Sequence, residues 1–186
     1  SKDMLVAGSY HGFNIYRLEE SGFPNLMTSV VCPGGQGDVS VVGNLLIMSV
    51  QDTRGRLYCG LQGFDPEPNE ERFRGIRVFD ISDPHNAKEV YTHKIGDQVN
   101  MLSQSWDGKR VYFTSSLLAN WDKADGPEKM PQFFKAYHYK DGKLEQQFAI
   151  DFLKEKLGLP HQMRFGAYSL YAKSPKDGAR VAELSK

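Results

Sequence analysis

Short runs in which apolar and polar residues alternate recur along the chain, separated by clusters of Gly, Asn and Asp. Alternation with period two marks strands with one face buried, and those clusters mark turns. Gly12 to Leu18 is followed by Asn25 to Val31, and Gly75 to Ile81 by Ala87 to Tyr91. Phe133 to Tyr139 is followed, after Asp141-Gly142, by Leu144 to Phe152. Ahead of the later pairs stand Val39 to Val50, broken at Gly43-Asn44, and Met101 to Ser115, broken at Asp107-Gly108. Such dipeptides accept positive φ and suit two-residue hairpin loops.

One unit therefore reads strand, tight turn, strand, variable loop, strand, turn, strand. That is the plan of a four-stranded β-propeller blade. The predicted class is all-β, with about four blades: Met4 to Val31, Asp38 to Lys94, Asn100 to Phe152, and an opening strand after Pro160. Propellers use four to eight complete blades, so these are expected to be part of a larger ring. Gln51 to Arg72 and Leu118 to Gln132 are rich in proline, glycine and charge and read as insertions on one face. Within the first, Glu67, Glu70, Glu71, Arg72 and Arg74 read as a solvated charge cluster. Asp151 to Gly158 has the composition for one or two helical turns.

Aligning the units brings the leading ends of their first strands into register: Gly35-Gln36-Gly37-Asp38, Asp97-Gln98-Val99-Asn100 and Pro160-His161-Gln162-Met163. The first strand of a blade lines the central channel, so these ends point to the channel mouth. Asp38, Asn100, Gln36 and Gln98 are the channel-mouth candidates, and His161 is the candidate metal ligand, since neutral imidazole is the commonest one. A second reading stays open, in which the polar groups close each blade by bonding to exposed backbone. Gly34-Gly35 allows a sharp bend or a close approach of backbone to a ligand. His11 and His85 fall at turns, and His93 and His138 on strands, where a structural place is expected.

Charge changes the picture by exclusion. Lys plus Arg and Asp plus Glu each number 23, so no net field steers the chain toward nucleic acid or an anionic membrane. No apolar run is long enough to span a bilayer. Phosphate-binding, nucleophile-elbow and dinucleotide signatures are lacking, as are Cys-x-x-Cys and His-x-x-x-His metal pairs. Cys32 and Cys59 are the only cysteines; they read as two thiols, as a disulfide, or as metal or catalytic thiolates. Their spacing does not choose.

Residues 98–173 resemble the selenium-binding protein and methanethiol oxidase family. The resemblance lies in Asn100-Met101-Leu102-Ser103, Trp106-Asp107-Gly108-Lys109-Arg110-Val111-Tyr112 and Thr114 to Lys123, and continues through Lys154 to Gly158 and His161 to Gly166. Residues 4–91 resemble secreted bacterial propellers built from LVIVD repeats, through His11 to Tyr16, Val31 to Val41 and Arg72 to Ser82. The implied division is 1–95, 96–173 and a tail at 174–186, with the resemblances meeting near His93 to Gly96.

The first resemblance implies a seven-bladed propeller with a copper centre held by histidines, His161 matching one of them. It implies a small thiol substrate: methanethiol, oxidised with oxygen and water to formaldehyde, hydrogen sulfide and hydrogen peroxide. The family's adjacent histidine pair and reactive N-terminal cysteine motif have no counterpart in this sequence. The second implies a non-catalytic binding or scaffold propeller. A periplasmic or secreted location is expected, with the cytoplasm left open. Completion of the ring is expected from other chain segments or an oligomer.

Overall fold

A computed structural model describes residues 3–52, 55–61, 69–96, 99–105, 107–115 and 131–161. Its elements are all strands: β1 (Met4–Ser9), β2 (Gly12–Leu18), β3 (Pro24–Val31), β4 (Val39–Val42), β5 (Leu45–Val50), β6 (Gly75–Asp80), β7 (Lys88–His93), β8 (Val99–Gln104), β9 (Arg110–Ser115), β10 (Phe133–Lys140) and β11 (Lys143–Asp151). They form three antiparallel sheets ordered β1-β2-β3, β4-β5-β6-β7 and β8-β9-β10-β11. Each strand pairs with its neighbour in sequence, as in a propeller blade. The sheets are called blades 1, 2 and 3. The opening strand expected after Pro160 lies outside the described residues.

Alternation along the strands gives blade 2 two buried faces. Leu46, Met48, Val50 and Phe79 pack with Phe13 and Ile15 of blade 1. Ile47, Ile76 and Val78 pack with Val99, Leu102, Val111, Phe113 and Tyr137 of blade 3. β5 is consequently buried from Leu46 to Val50, whereas β7, at the outer edge, is exposed over Lys88 to Val90 and half-buried over Tyr91 to His93. This is the burial gradient expected of stacked blades: central strands covered on both faces and outer strands wet.

The turns follow the sequence with one correction. At Asp141-Gly142 both residues have positive φ, 51° and 77°, which is the two-residue loop expected. The Asp107-Gly108 connection is longer: β8 ends at Gln104, β9 begins at Arg110, and Ser105 N donates to Arg110 O at 2.9 Å. Asp107 organises it, accepting from Ser105 Oγ at 2.6 Å and Lys109 N at 3.0 Å. Asp151 to Gly158 makes one hydrogen-bonded turn of the one or two expected, with Glu155 N donating to Asp151 O at 3.0 Å. Asp151 ends β11, its carboxylate captures the N–H groups of Leu153 and Lys154, and Lys156 adopts φ 56°, closing the segment after a single turn. An Asp carboxylate that accepts the N–H groups two and three residues on caps the start of a turn in this way.

At the junction of blades 2 and 3, His93 stacks on Tyr91 and meets the edge of Tyr137, with ring centroids 5.9 and 5.8 Å apart. Its Nδ1 lies 3.1 Å from Tyr91 Oη. Burial, and then the nearby Lys135 ammonium, lower its pKa. The folded state therefore favours neutral imidazole, and its stabilising contribution is complete above the ordinary histidine value of about 6.5. That contribution falls as pH drops below this value toward the lowered pKa. Thermal melting between pH 7.5 and 5 is expected to show a falling midpoint, and His93→Phe is expected to flatten the slope.

Candidate functional site

β4 and β8, the first strands of blades 2 and 3, run side by side, and their free edges would present unpaired N–H and C=O groups to the channel. Side chains answer those groups. The Asp38 carboxylate accepts the Leu102 N–H at 2.7 Å, and Ser40 Oγ donates to Gln104 Oε1 at 2.8 Å. Asp38 is itself fixed on β5, its N–H donating to Ser49 Oγ at 3.0 Å and its carbonyl accepting from Ser49 N at 2.9 Å. Burial raises the Asp38 pKa, opposed by the backbone N–H groups of Leu102 and Val39, which favour the carboxylate.

Register in β8 is interrupted between Val99 and Leu102. A bulge there re-aims the intervening side chains, as bulges beside functional sites do. Asn100, buried at 2% exposure, lies against blade 2, and its Nδ2 donates to Gln36 Oε1 at 2.8 Å and to Gln51 Oε1. Gln36 and Asn100, 64 residues apart, are thus in direct contact. Gly34 and Gly35 make this possible. Gly34 O accepts from Gln51 N at 2.7 Å, and Gly35, at φ 99°, lies so close that a Cβ there would come within 2.5 Å of Gln51 Cγ. The pair bends the chain against β5.

Three amides therefore cap the core shared by blades 2 and 3. A fourth lies on blade 3: Gln132, with Oε1 accepting from Ser115 Oγ at 3.3 Å and a buried Nε2 that has no hydrogen-bond partner among the described residues. Sequence reasoning missed Gln51, Ser49 and Gln132. Their only signal was position, each lying at the end of a central strand or just beyond it.

Of the sequence candidates, Gln36, Asp38 and Asn100 converge. Gln98 lies outside the described residues. His161 is exposed, and it is its backbone carbonyl that Thr114 Oγ1 holds. Thr114 alternates with Phe113 and Ser115, so this anchor lies on the face of blade 3 turned away from blade 2. Among the described residues, no hydrogen bond joins His161 to Asp38 or Asn100. A cavity of about 750 Å³ lies elsewhere, at the opposite ends of blades 1 and 2, where Asp3, Glu19 and Arg17 mingle with Asn44 and His85. It gathers no candidate residue.

Cys32 and Cys59 form a disulfide across blades 1 and 2, with Cα atoms 4.3 Å apart. Beside it stands Arg77, which sequence reasoning also missed because it sits in the alternating run of β6. Its side chain is fully buried; Nη1 donates to Leu57 O at 2.8 Å and to Glu89 Oε2 at 2.9 Å, and Nη2 to Arg56 O. Burial lowers the Arg77 pKa and Glu89 raises it, and a guanidinium remains protonated throughout. In the charge cluster of the same insertion, Glu71 pairs with Arg56 at 3.2 Å and keeps 55% side-chain exposure.

The chain is 54% identical over 96 residues to methanethiol oxidase of Ruegeria pomeroyi, and 53% identical over 91 residues to that of a Hyphomicrobium species. Half of the chain is methanethiol oxidase-like. The matches cover 52% and 49% of this chain but only 22% and 20% of those proteins, so the chain spans about a fifth of the relatives' length. No family model matches it.

Among solved structures, a hypothetical selenium-binding protein from Sulfolobus tokodaii superposes with a TM-score of 0.51 at 18% identity, over 75% of this chain and 35% of its own. A protein of unknown function from Desulfotomaculum acetoxidans gives 0.52 at 10% identity, over 80% and 38%. A putative 6-phosphogluconolactonase from Bacteroides fragilis gives 0.52 at 12%, over 80% and 35%. These likenesses establish the fold: stacked propeller blades.

Proposed function

We propose that this chain supplies blades of a methanethiol oxidase-type propeller that converts methanethiol, oxygen and water to formaldehyde, hydrogen sulfide and hydrogen peroxide. The observation that carries this reading is the 54% identity with the Ruegeria enzyme. The reaction balances with one molecule of each reactant and one of each product: carbon loses two electrons and dioxygen gains two. The remaining blades come from other segments or from partner chains, since the matched residues cover only 22% of that relative. An oxidising compartment, periplasmic or extracellular, suits the Cys32–Cys59 bond.

Copper belongs to this proposal as the redox centre, with His161 one imidazole donor. The described residues do not themselves compose such a centre. The one set of three His, Cys, Asp or Glu ligands they gather is Cys32, Cys59 and Glu89, which does not include His161. The channel-mouth residues have a role of their own in this reading: Asp38 and Asn100 hold the two inner strands in fixed relation, keeping the mouth rigid.

Elemental analysis of the whole protein tests the metal. Copper near one equivalent, lost in His161→Ala while the sheet signal in circular dichroism is kept, is expected. Copper-free protein, or copper unaffected by that substitution, would contradict the assignment of His161. A second reading, a non-catalytic binding or scaffold propeller, is favoured by the side chains of Asp38 and Asn100 being engaged by neighbouring blades. Stoichiometric copper that depends on His161 would sink it.

A further inference from the structure

The junction of blades 1 and 2 holds a group that neither the resemblance nor the proposed oxidation uses. Cys32 follows β3, Cys59 lies in the 55–61 segment, and Glu89 is on β7. Their Sγ and carboxylate atoms all lie within 4.8 Å of one another. Glu89 Oε2 stands 3.2 Å from Cys59 Sγ. A disulfide sulfur carries no proton, so that approach is not a hydrogen bond in the oxidised chain. It is close to the separation of roughly 3.5 Å that a thiolate and a carboxylate oxygen take around tetrahedral zinc, given bonds of about 2.3 and 2.0 Å.

We propose that reduction of the Cys32–Cys59 disulfide opens a binding site for one thiophilic divalent cation of the zinc and cadmium class, with Cys32, Cys59 and Glu89 as ligands. A dithiol reductant supplies two electrons and two protons, giving two Cys thiols and its own disulfide. Cation binding then releases both thiol protons. Two thiolates and one carboxylate carry three negative charges; the cation brings two positive, and Arg77, 2.9 Å from Glu89, brings the third. The filled site is neutral, which a half-buried position demands. Two sulfur donors select against magnesium and calcium, which take oxygen ligands. Arg77 also orients Glu89, as groups bonded to a ligand carboxylate do. Cys59 has room to part from Cys32, because Arg77 and the Arg56–Arg72 bridge hold residues 56 and 57, whereas among the described residues no backbone hydrogen bond fixes Cys59 itself. Exchange with a second, oxidising disulfide takes up the two electrons as that disulfide becomes a dithiol, reforms the Cys32–Cys59 bond and expels the cation, so the junction is gated by redox state.

The test is titration of the whole protein with cadmium alone, after reduction by a phosphine and without oxygen, following the ultraviolet thiolate-to-cadmium absorption. One equivalent taken up by the reduced protein and none by the oxidised one is expected. Cys59→Ser should abolish the absorption, and Glu89→Gln should weaken binding by about tenfold or more. Lack of absorption in the reduced protein, or equal uptake in oxidised or Cys59→Ser protein, would overturn the proposal. So would loss of the sheet signal on reduction, because the site needs blades 1 and 2 to stay packed. Binding unchanged in Glu89→Gln would overturn the three-ligand assignment.

Discussion

Arg77→Ala is expected to lose about 3 kcal/mol of stability, the lower part of the roughly 3–5 kcal/mol range for breaking a buried ion pair. The lower figure applies because Glu89 keeps 30% side-chain exposure and can be rehydrated once its partner is gone. The carbonyls of Arg56 and Leu57 fare worse, since each loses a charged donor. Arg77 also lies 5.0 Å over the Phe73 ring, so its removal leaves a void beside an aromatic core residue. Urea unfolding measures the loss. Arg77→Lys is expected to recover only part of it, because an ammonium cannot reach three acceptors in a fork. A loss under about 1 kcal/mol for Arg77→Ala would mean that the insertion is not held from beneath by this residue.

Phe113→Ala is expected to cost about 3–5 kcal/mol, the usual range for a large aromatic removed from a packed core. Phe113 is fully buried in the cluster shared by blades 2 and 3 and meets Tyr137 edge-on at 5.6 Å. The loss should appear as a lower midpoint of one cooperative transition, because both blades bury their inner faces in the same cluster. Two separated transitions in the wild-type protein would contradict the stacking of blades 2 and 3 around one core.

The blade plan was legible because a strand's period is two and its turns are marked by glycine, so β2, β3, β6, β10 and β11 stand almost where alternation put them. The register of leading ends was legible too, since each blade repeats the same order. In the structure Gln36 meets Asn100 and Asp38 meets Leu102, each pair 64 residues apart in sequence. What alternation could not reveal is a polar side chain working in an apolar place. Arg77 occupies a core position in β6 as Ile76 and Val78 do, and only its partners 12 to 21 residues away explain it. The Cys32–Cys59 pairing was equally hidden, because it depends on how an insertion folds back across another blade. At the channel mouth, the reading in which polar groups close exposed backbone describes Asp38 well, while Asn100 bonds to side chains instead.

The central claim is that these blades belong to a methanethiol oxidase. Its most direct test is oxygen uptake and peroxide release by the whole protein on addition of methanethiol. The expected result is one hydrogen peroxide and one formaldehyde for each oxygen consumed, with sulfide appearing in the same amount. Whole, folded, copper-supplied protein that consumes no oxygen with methanethiol would contradict it.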